Sequence, residues 1–215
     1  MTPLPEGFRI DLDGSVRSFR DGTVLVGGHP GRLITLNDDG VEALNQMLGD
    51  GTASPAARQL GRRLVDAGMA HPRPRHAAGS PGIGGSGAVT AETTVTVVVP
   101  VRDRTAALDR CLASLGTTAP VVVVDDASVD PAAVAEVCDR HGARMITRWV
   151  NGGPGAARND ALSVIATDLV AFVDSDCAVP GGWLNRLTWM FDDPHLGAVA
   201  PRVRPDRSGR AGRAL

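Results

Sequence analysis

Asp174 and Asp176 flank a serine at the end of the mostly apolar run Leu169-Val170-Ala171-Phe172-Val173. Residues one apart on extended chain project to the same side, so both carboxylates face one crevice. Such a pair either holds a cation or repels itself, and its hard oxygen donors suit Mg²⁺ or Mn²⁺. Helix capping is the alternative use of acids at such a place. Three further polar clusters follow apolar runs: Pro100-Val101-Arg102-Asp103 after VTVVV, Asp125-Asp126 with Ser128 and Asp130 after VVVV, and the glycine-rich Asn151 to Asn159, which includes Gly153 and Arg158. For Asp125 and Asp126 the alternative is again a helix cap near Pro131, a job that Ser128 and Asp130 fill better. Gly152, Gly153 and Gly155 allow close backbone approach at the start of a helix, whose N-terminus favours phosphate.

These clusters need elements to bring them together. Strands are predicted at Val95 to Val99, Val121 to Val124, Arg144 to Arg148, Leu169 to Val173 and Ala198 to Ala200, with helical patterns between them. Leu108, Cys111, Leu112 and Leu115 form one helical stripe, Val134, Val137 and Cys138 a second, and Leu184, Leu187 and Phe191 a third, each expected to face a sheet. Continuous Val-rich strands imply a parallel sheet covered on both faces. Right-handed crossovers place the C-terminal strand ends on one edge, where ligands bind in open α/β sheets. Four consecutive strand ends thus converge acids, an arginine and a glycine-rich loop.

Ahead of this region, from about Arg73 to Glu92, hydrophobic periodicity gives way to Gly, Ser, Pro and Ala. That composition predicts a flexible linker over 73–92 between a small domain at 1–72 and a larger one at 93–215. In the small domain, Phe8 to Phe19 reads as a hairpin turning at Asp13-Gly14. Val24 to Val26 and Arg32 to Leu36 read as short strands. Asp39 to Glu42 has capping-box spacing before one helix, and Ser54-Pro55 opens a second. Leu33, Leu36, Leu44 and Leu48 are expected to pack in its core.

Composition narrows the function. The 22 basic residues are all arginine and balance 24 acids, for a net charge of −2, so no nucleic-acid footprint is present. Cys111, Cys138 and Cys177 form no CxxC pair, and the five histidines have no metal-ligand spacing. A reducing cytoplasm is expected. No signal-peptide pattern opens the chain, and no apolar run approaches the roughly 18 residues of a membrane span, so a soluble protein without a transmembrane segment is expected.

In order, VVVPVRDR, VVVVDDASVD, NGGPGAARN and FVDSD resemble the family 2 glycosyltransferases, from about Thr94 to Pro201. The resemblance implies the GT-A fold, a Rossmann-like α/β sheet, and inverting transfer of a sugar from a nucleotide diphosphate. It implies nucleotide-sugar contacts at Pro100, Val101, Arg102, Asp125, Asp126, Gly153, Arg158, Asp174 and Asp176. Asp125 and Asp126 would meet uracil and ribose, and Arg158 the diphosphate or base. Asp176, with Asp174, would hold the divalent metal. Arg102 and Asp103 stand where the family more often has an aromatic residue and Asn, which removes the expected base stacking. The front region, GRLITLNDDGVEALNQML, resembles the small PqqD-like winged-helix modules of peptide-derived cofactor pathways, over roughly residues 6 to 72. Together the two resemblances imply a UDP-sugar donor, with glucose as the sugar, and a peptide-derived redox-cofactor precursor as acceptor. The competing expectation is a peptide-binding module joined to an incomplete transferase. A dinucleotide-binding dehydrogenase fits less well, because PVRDR replaces a Gly-rich turn after the first strand. An inverting transfer also needs a base for the acceptor hydroxyl. In the family that residue lies well beyond the Asp-x-Asp strand, so the base is expected beyond residue 215 and the chain is expected to be truncated.

Overall fold

The computed structural model describes residues 1–74 and 94–205. The described residues form two compact units, one built from residues 1–74 with 184–205 and the other from 94–183.

In the first unit, β1 (Phe8–Leu12) pairs antiparallel with β5 (Ala70–Pro74). A separate antiparallel sheet runs β2 (Arg17–Phe19), β3 (Val24–Gly27), β4 (Arg32–Thr35). The expected hairpin from Phe8 to Phe19 therefore does not form. A two-residue hairpin turn of the favoured kind needs positive φ at both central residues. Neither Asp13 nor Gly14 has it. Instead the Asp13 carboxylate accepts from the Ser15 N–H (2.9 Å) and Oγ–H (2.6 Å), and the Val16 N–H reaches the Asp13 carbonyl at 2.9 Å. This side-chain turn sends β2 into another sheet and leaves β1 to pair with the strand after the helices.

Helix α1 (Asp38–Leu48) is capped by Asn37, whose side chain accepts from the Gly40 N–H. The start expected at Asp39 lies two residues late, because Asn37 already supplies the acceptor and Asp38 and Asp39 sit in the acid-favouring first turn. Helix α2 (Pro55–Asp66) begins as predicted, with Ser54 as cap and Pro55 in the first turn. Leu4, Phe8, Ile10, Leu25, Leu36, Leu44, Met47, Leu60, Leu64 and Met69 form the core. Leu33 and Leu48 do not belong to it; Leu33 is 66% exposed on β4. The connector expected at 73–92 lies outside the described residues from 75 onward, and Arg73 and Pro74 end β5.

The second unit is a parallel sheet in the order β8 (Arg144–Arg148), β7 (Val121–Asp126), β6 (Val95–Val101), β9 (Leu169–Phe172). Alternate residues divide between two cores. Val97, Val99, Val101 and Val123 pack with Leu108, Cys111, Leu112 and Leu115 of α3 (Thr105–Leu115) and with Val134, Val137 and Cys138 of α4 (Pro131–His141). Val98, Val122 and Val124 pack with Ala157 and Ala161 of α5 (Gly153–Leu162). Both faces are covered, as the Val-rich strands predicted. The sheet order reverses direction between β6 and β9, which marks the switch point where such folds open a ligand crevice.

Beyond Trp183 the structure departs from expectation. Ala198 to Ala200 is not a strand. The helix α6 (Trp183–Thr188) buries none of its residues fully. Residues 184–205 pack with the first unit. The Trp189 ring lies 5.6 Å from the Phe8 ring, and the Asp193 carboxylate is gripped by Arg62 Nη2 at 2.6 and 2.7 Å.

Candidate functional site

The site residues that the sequence singled out lie at the ends of β6, β7 and β9 and on α5, which follows β8, and their charged members fall into two groups. Asp125 and Asp126 turn inward. Asp174, Asp176, Arg102 and Arg158 stay near the surface.

Asp126, only 4% exposed, accepts from the Gly152 N–H at 3.0 Å, the Gly153 N–H at 2.7 Å and Arg148 Nη1. The glycine-rich loop is therefore clasped to the end of β7, and Asp126 takes the place at the N-terminus of α5 where an incoming phosphate was expected. Burial pushes the Asp126 carboxyl up, but the two amides and the Arg148 guanidinium outweigh it and hold it below its ordinary value. Arg148 also donates from Nε to Asp160 at 2.6 Å, tying β8 to α5. Gly153, at φ +80°, adopts a conformation that favours glycine, and a Cβ on Gly152 would stand 2.6 Å from the tip of Arg148 and 2.9 Å from the Ala156 Cβ, so that these neighbours would have to shift.

Asp125 is wholly buried. Its Oδ1 accepts from the Ser128 N–H (3.1 Å) and from the Ser128 hydroxyl, while its Oδ2 has no partner among the described residues. Ser128 Oγ in turn accepts from the Asp103 N–H at 2.9 Å, and Asp103 Oδ1 accepts from the Val129 N–H at 2.6 Å. The loops after β6 and β7 are thus laced together, with Asp103 and Ala127 held at φ of +56° and +60°. Asp130 caps α4 through the Ala133 N–H, as expected. Pro100 and Val101 are buried as the last residues of β6 and form the floor beneath this loop. Arg102 is exposed, with its Nε 3.6 Å from the Asp103 carboxylate.

Asp174 and Asp176 are both more than half exposed, and neither caps a helix, since the next one starts at Trp183. Each carries an arginine instead. Arg158 Nη2 donates to Asp174 Oδ1 at 2.5 Å with its guanidinium over the Phe172 ring, and Arg104 Nη1 donates to Asp176 Oδ2 at 2.9 Å. Beneath them, the Asp174 carbonyl accepts from the Cys177 N–H (2.9 Å) and the Cys111 thiol (3.6 Å), which pins the acidic turn to α3. Among the described residues no group of three or more His, Cys, Asp or Glu surrounds a common point. The two carboxylates nonetheless offer the hard, accessible oxygens that Mg²⁺ or Mn²⁺ takes, leaving other positions for ligand or water. Arg104 and Arg148 were not singled out from the sequence, and Asp103 was noted only within the cluster after the first strand. Arg104 was legible as a second cation in PVRDR, and Arg148 as a charge ending an otherwise β-forming run.

Acids and arginines thus gather at the switch point of an open parallel sheet, the place where such folds bind ligands. Residues 96–214 match the family described as Glycosyl transferase family 2, and the chain belongs to that family. Pre-mycofactocin glycosyltransferase of Mycobacterium tuberculosis is 38% identical over 206 residues, which cover 94% of this chain and 40% of the relative. Succinoglycan biosynthesis protein ExoO of Rhizobium meliloti is 41% identical over 83 residues, covering 38% of this chain and 24% of that protein. The solved structure of glucosyl-3-phosphoglycerate synthase from Mycobacterium tuberculosis in complex with phosphoglyceric acid is 26% identical over 40% of this chain and 34% of that one, with a TM-score of 0.33. The chain spans about two fifths of the length of its mycofactocin-pathway relative.

Proposed function

We propose that the second unit binds the donor for transfer of a hexose, glucose, from a UDP-sugar to a peptide-derived redox-cofactor precursor of the pre-mycofactocin kind, with inversion and in the cytoplasm. The observation that carries this reading is the pair Asp174 and Asp176 at the switch-point end of β9, with Arg104 and Arg158 beside them. Asp174 and Asp176 would hold Mn²⁺ or Mg²⁺, whose positive charge offsets the charge that grows on the departing diphosphate. Arg158 and Arg104 add fixed positive charge on either side. Asp126 orients the glycine-rich loop, and the laced loops around Asp103 and Asp125 shape the floor for the nucleoside. The transfer also requires a base at the acceptor hydroxyl, and no residue among those described is assigned that role.

Calorimetric titration of UDP into the full chain, with Mn²⁺ and with EDTA, tests the reading. Metal-dependent binding is expected, weakened by about tenfold or more in Asp176→Ala. Binding that is absent in the parent protein under both conditions would remove the donor reading.

A second reading, peptide binding by a PqqD-like first unit, is favoured by one observation. The sheet β2-β3-β4 leaves β4 with an unpaired edge among the described residues. Beside it lies a cleft of about 560 Å³ lined by Arg32, Leu33, Ile34, Arg63 and Asp66. An extended peptide can add to such an edge, using backbone hydrogen bonds for affinity and the cleft for selection. Because residues 184–205 belong to the same unit, this reading is tested on the full chain rather than on residues 1–92.

A further inference from the structure

The acidic pair that follows β9 is not free to take a cation without giving something up. Arg104 and Arg158 each occupy one of its carboxylates, and they reach it from opposite faces of the sheet. Arg104 stands at the head of α3, which packs with α4 on one face; Arg158 belongs to α5, which covers the other. The Arg104–Asp176 pair spans the switch point, since one residue follows β6 and the other follows its neighbour β9. Both pairs are accessible to solvent: side-chain exposures are 64% and 54% for Arg104 and Asp176, and 32% and 58% for Arg158 and Asp174. Exposed pairs of this kind are held weakly and open readily. Arg158 also has its Nε buried without a partner among the described residues, so its fork is only partly used.

We propose that Arg104 and Arg158 are exchange partners. They neutralise Asp176 and Asp174 until a donor arrives, then pass to its diphosphate as a divalent cation takes the carboxylates. This inference rests on the donor reading above and adds to it a rule of binding in which Arg104 and Arg158 change partners. Guanidinium matches phosphate oxygens as well as it matches carboxylate oxygens, so a diphosphate gives both arginines an equal or better partner. A cation arriving alone must displace two guanidinium groups that have nowhere else to go. A diphosphate arriving alone leaves two carboxylates facing its charge. Each ligand therefore removes the cost of the other, and by linkage the gain is the same whichever binds first.

The experiment is titration of Mn²⁺ into the full chain without and with saturating UDP, and of UDP without and with Mn²⁺, for the parent, Arg104→Gln, Arg104→Lys and Arg110→Gln. Arg110 lies on α3 outside the site and donates to the Ala106 carbonyl, so its variant controls for loss of a positive charge alone. For the parent, Mn²⁺ affinity is expected to rise about tenfold or more when UDP is present, within the usual range of coupling between sites. In Arg104→Gln, Mn²⁺ alone binds several-fold more tightly, UDP with Mn²⁺ binds more weakly, and the coupling shrinks; Arg104→Lys falls between. Arg110→Gln matches the parent, and thermal melting of all four is alike because Arg104 is exposed. Opposite signs on the two ligands are what a merely structural role would not produce. If UDP with Mn²⁺ binds the parent but Arg104→Gln changes neither affinity, or weakens both alike, the exchange is wrong and the donor reading stands. If the parent binds neither ligand, both fall together.

Discussion

Asp193→Ala is expected to lower the unfolding free energy by about 3–5 kcal/mol, the usual cost of stranding one partner of a buried ion pair. Arg62 and Asp193 are 5% and 4% exposed, and one guanidinium nitrogen lies 2.6 and 2.7 Å from the two carboxylate oxygens. Arg62 Nε donates to the Thr2 carbonyl at 3.3 Å, so the same side chain ties the N-terminus, α2 and the returning segment together. Removing the carboxylate leaves a positive charge in a site sealed from water. Replacing both residues, as Arg62→Met with Asp193→Leu, removes the charge as well and is expected to recover most of the loss. Urea unfolding followed by tryptophan fluorescence measures both, because Trp189 packs on Phe8 in the same unit. A cost below about 1 kcal/mol for Asp193→Ala would place the pair among exposed ones, and the attachment of residues 184–205 to the first unit would then need another cause.

That pair shows which parts of this fold a sequence can reveal. The strands β6 and β7 were legible because runs of valine are unlike anything else in the chain, and four polar clusters at regular intervals marked the ends of β6, β7, β8 and β9. Ser54-Pro55 was legible because cap and first-turn proline are local chemistry. Arg62 and Asp193 are 131 residues apart, and no local pattern joins them. The hairpin at Asp13-Gly14 failed for a related reason: the dipeptide permits a tight turn, but whether β1 pairs with β2 or with β5 is decided by which partner completes the core. Leu33 failed because alternation along a four-residue strand does not say which face is covered. At the site, residue types and positions were readable, but not the directions of the side chains. Asp125 and Asp126 are adjacent acids at a strand end, and only the fold shows that both are used internally while Asp174 and Asp176 face outward.

The consequence for Asp126 is specific. Asp126→Ala is expected to cost about 3 kcal/mol in stability, since it leaves the Gly152 and Gly153 N–H groups without their carboxylate acceptor and Arg148 with Asp160 as its remaining carboxylate partner. It is also expected to weaken UDP binding, because the loop it clasps leads directly into α5 and Arg158. Asp126→Asn keeps one acceptor oxygen and should lose less of both. The pH dependence follows from the direction of the shift. An Asp in the unfolded chain titrates near 3.9, and in the folded protein burial raises the Asp126 carboxyl less than Gly152, Gly153 and Arg148 lower it. The unfolded state therefore takes up a proton first as the solution is acidified. The stabilisation is complete above about pH 5 and drains away as pH falls through the unfolded value towards the lower folded one. Urea unfolding at a series of pH values from 7 down to about 3 reads this directly: the parent loses stability steeply on the acid side, and Asp126→Asn, which has no carboxylate there, loses less. Equal acid slopes in the two proteins would mean that the clasp on the glycine-rich loop does not depend on the charge of Asp126.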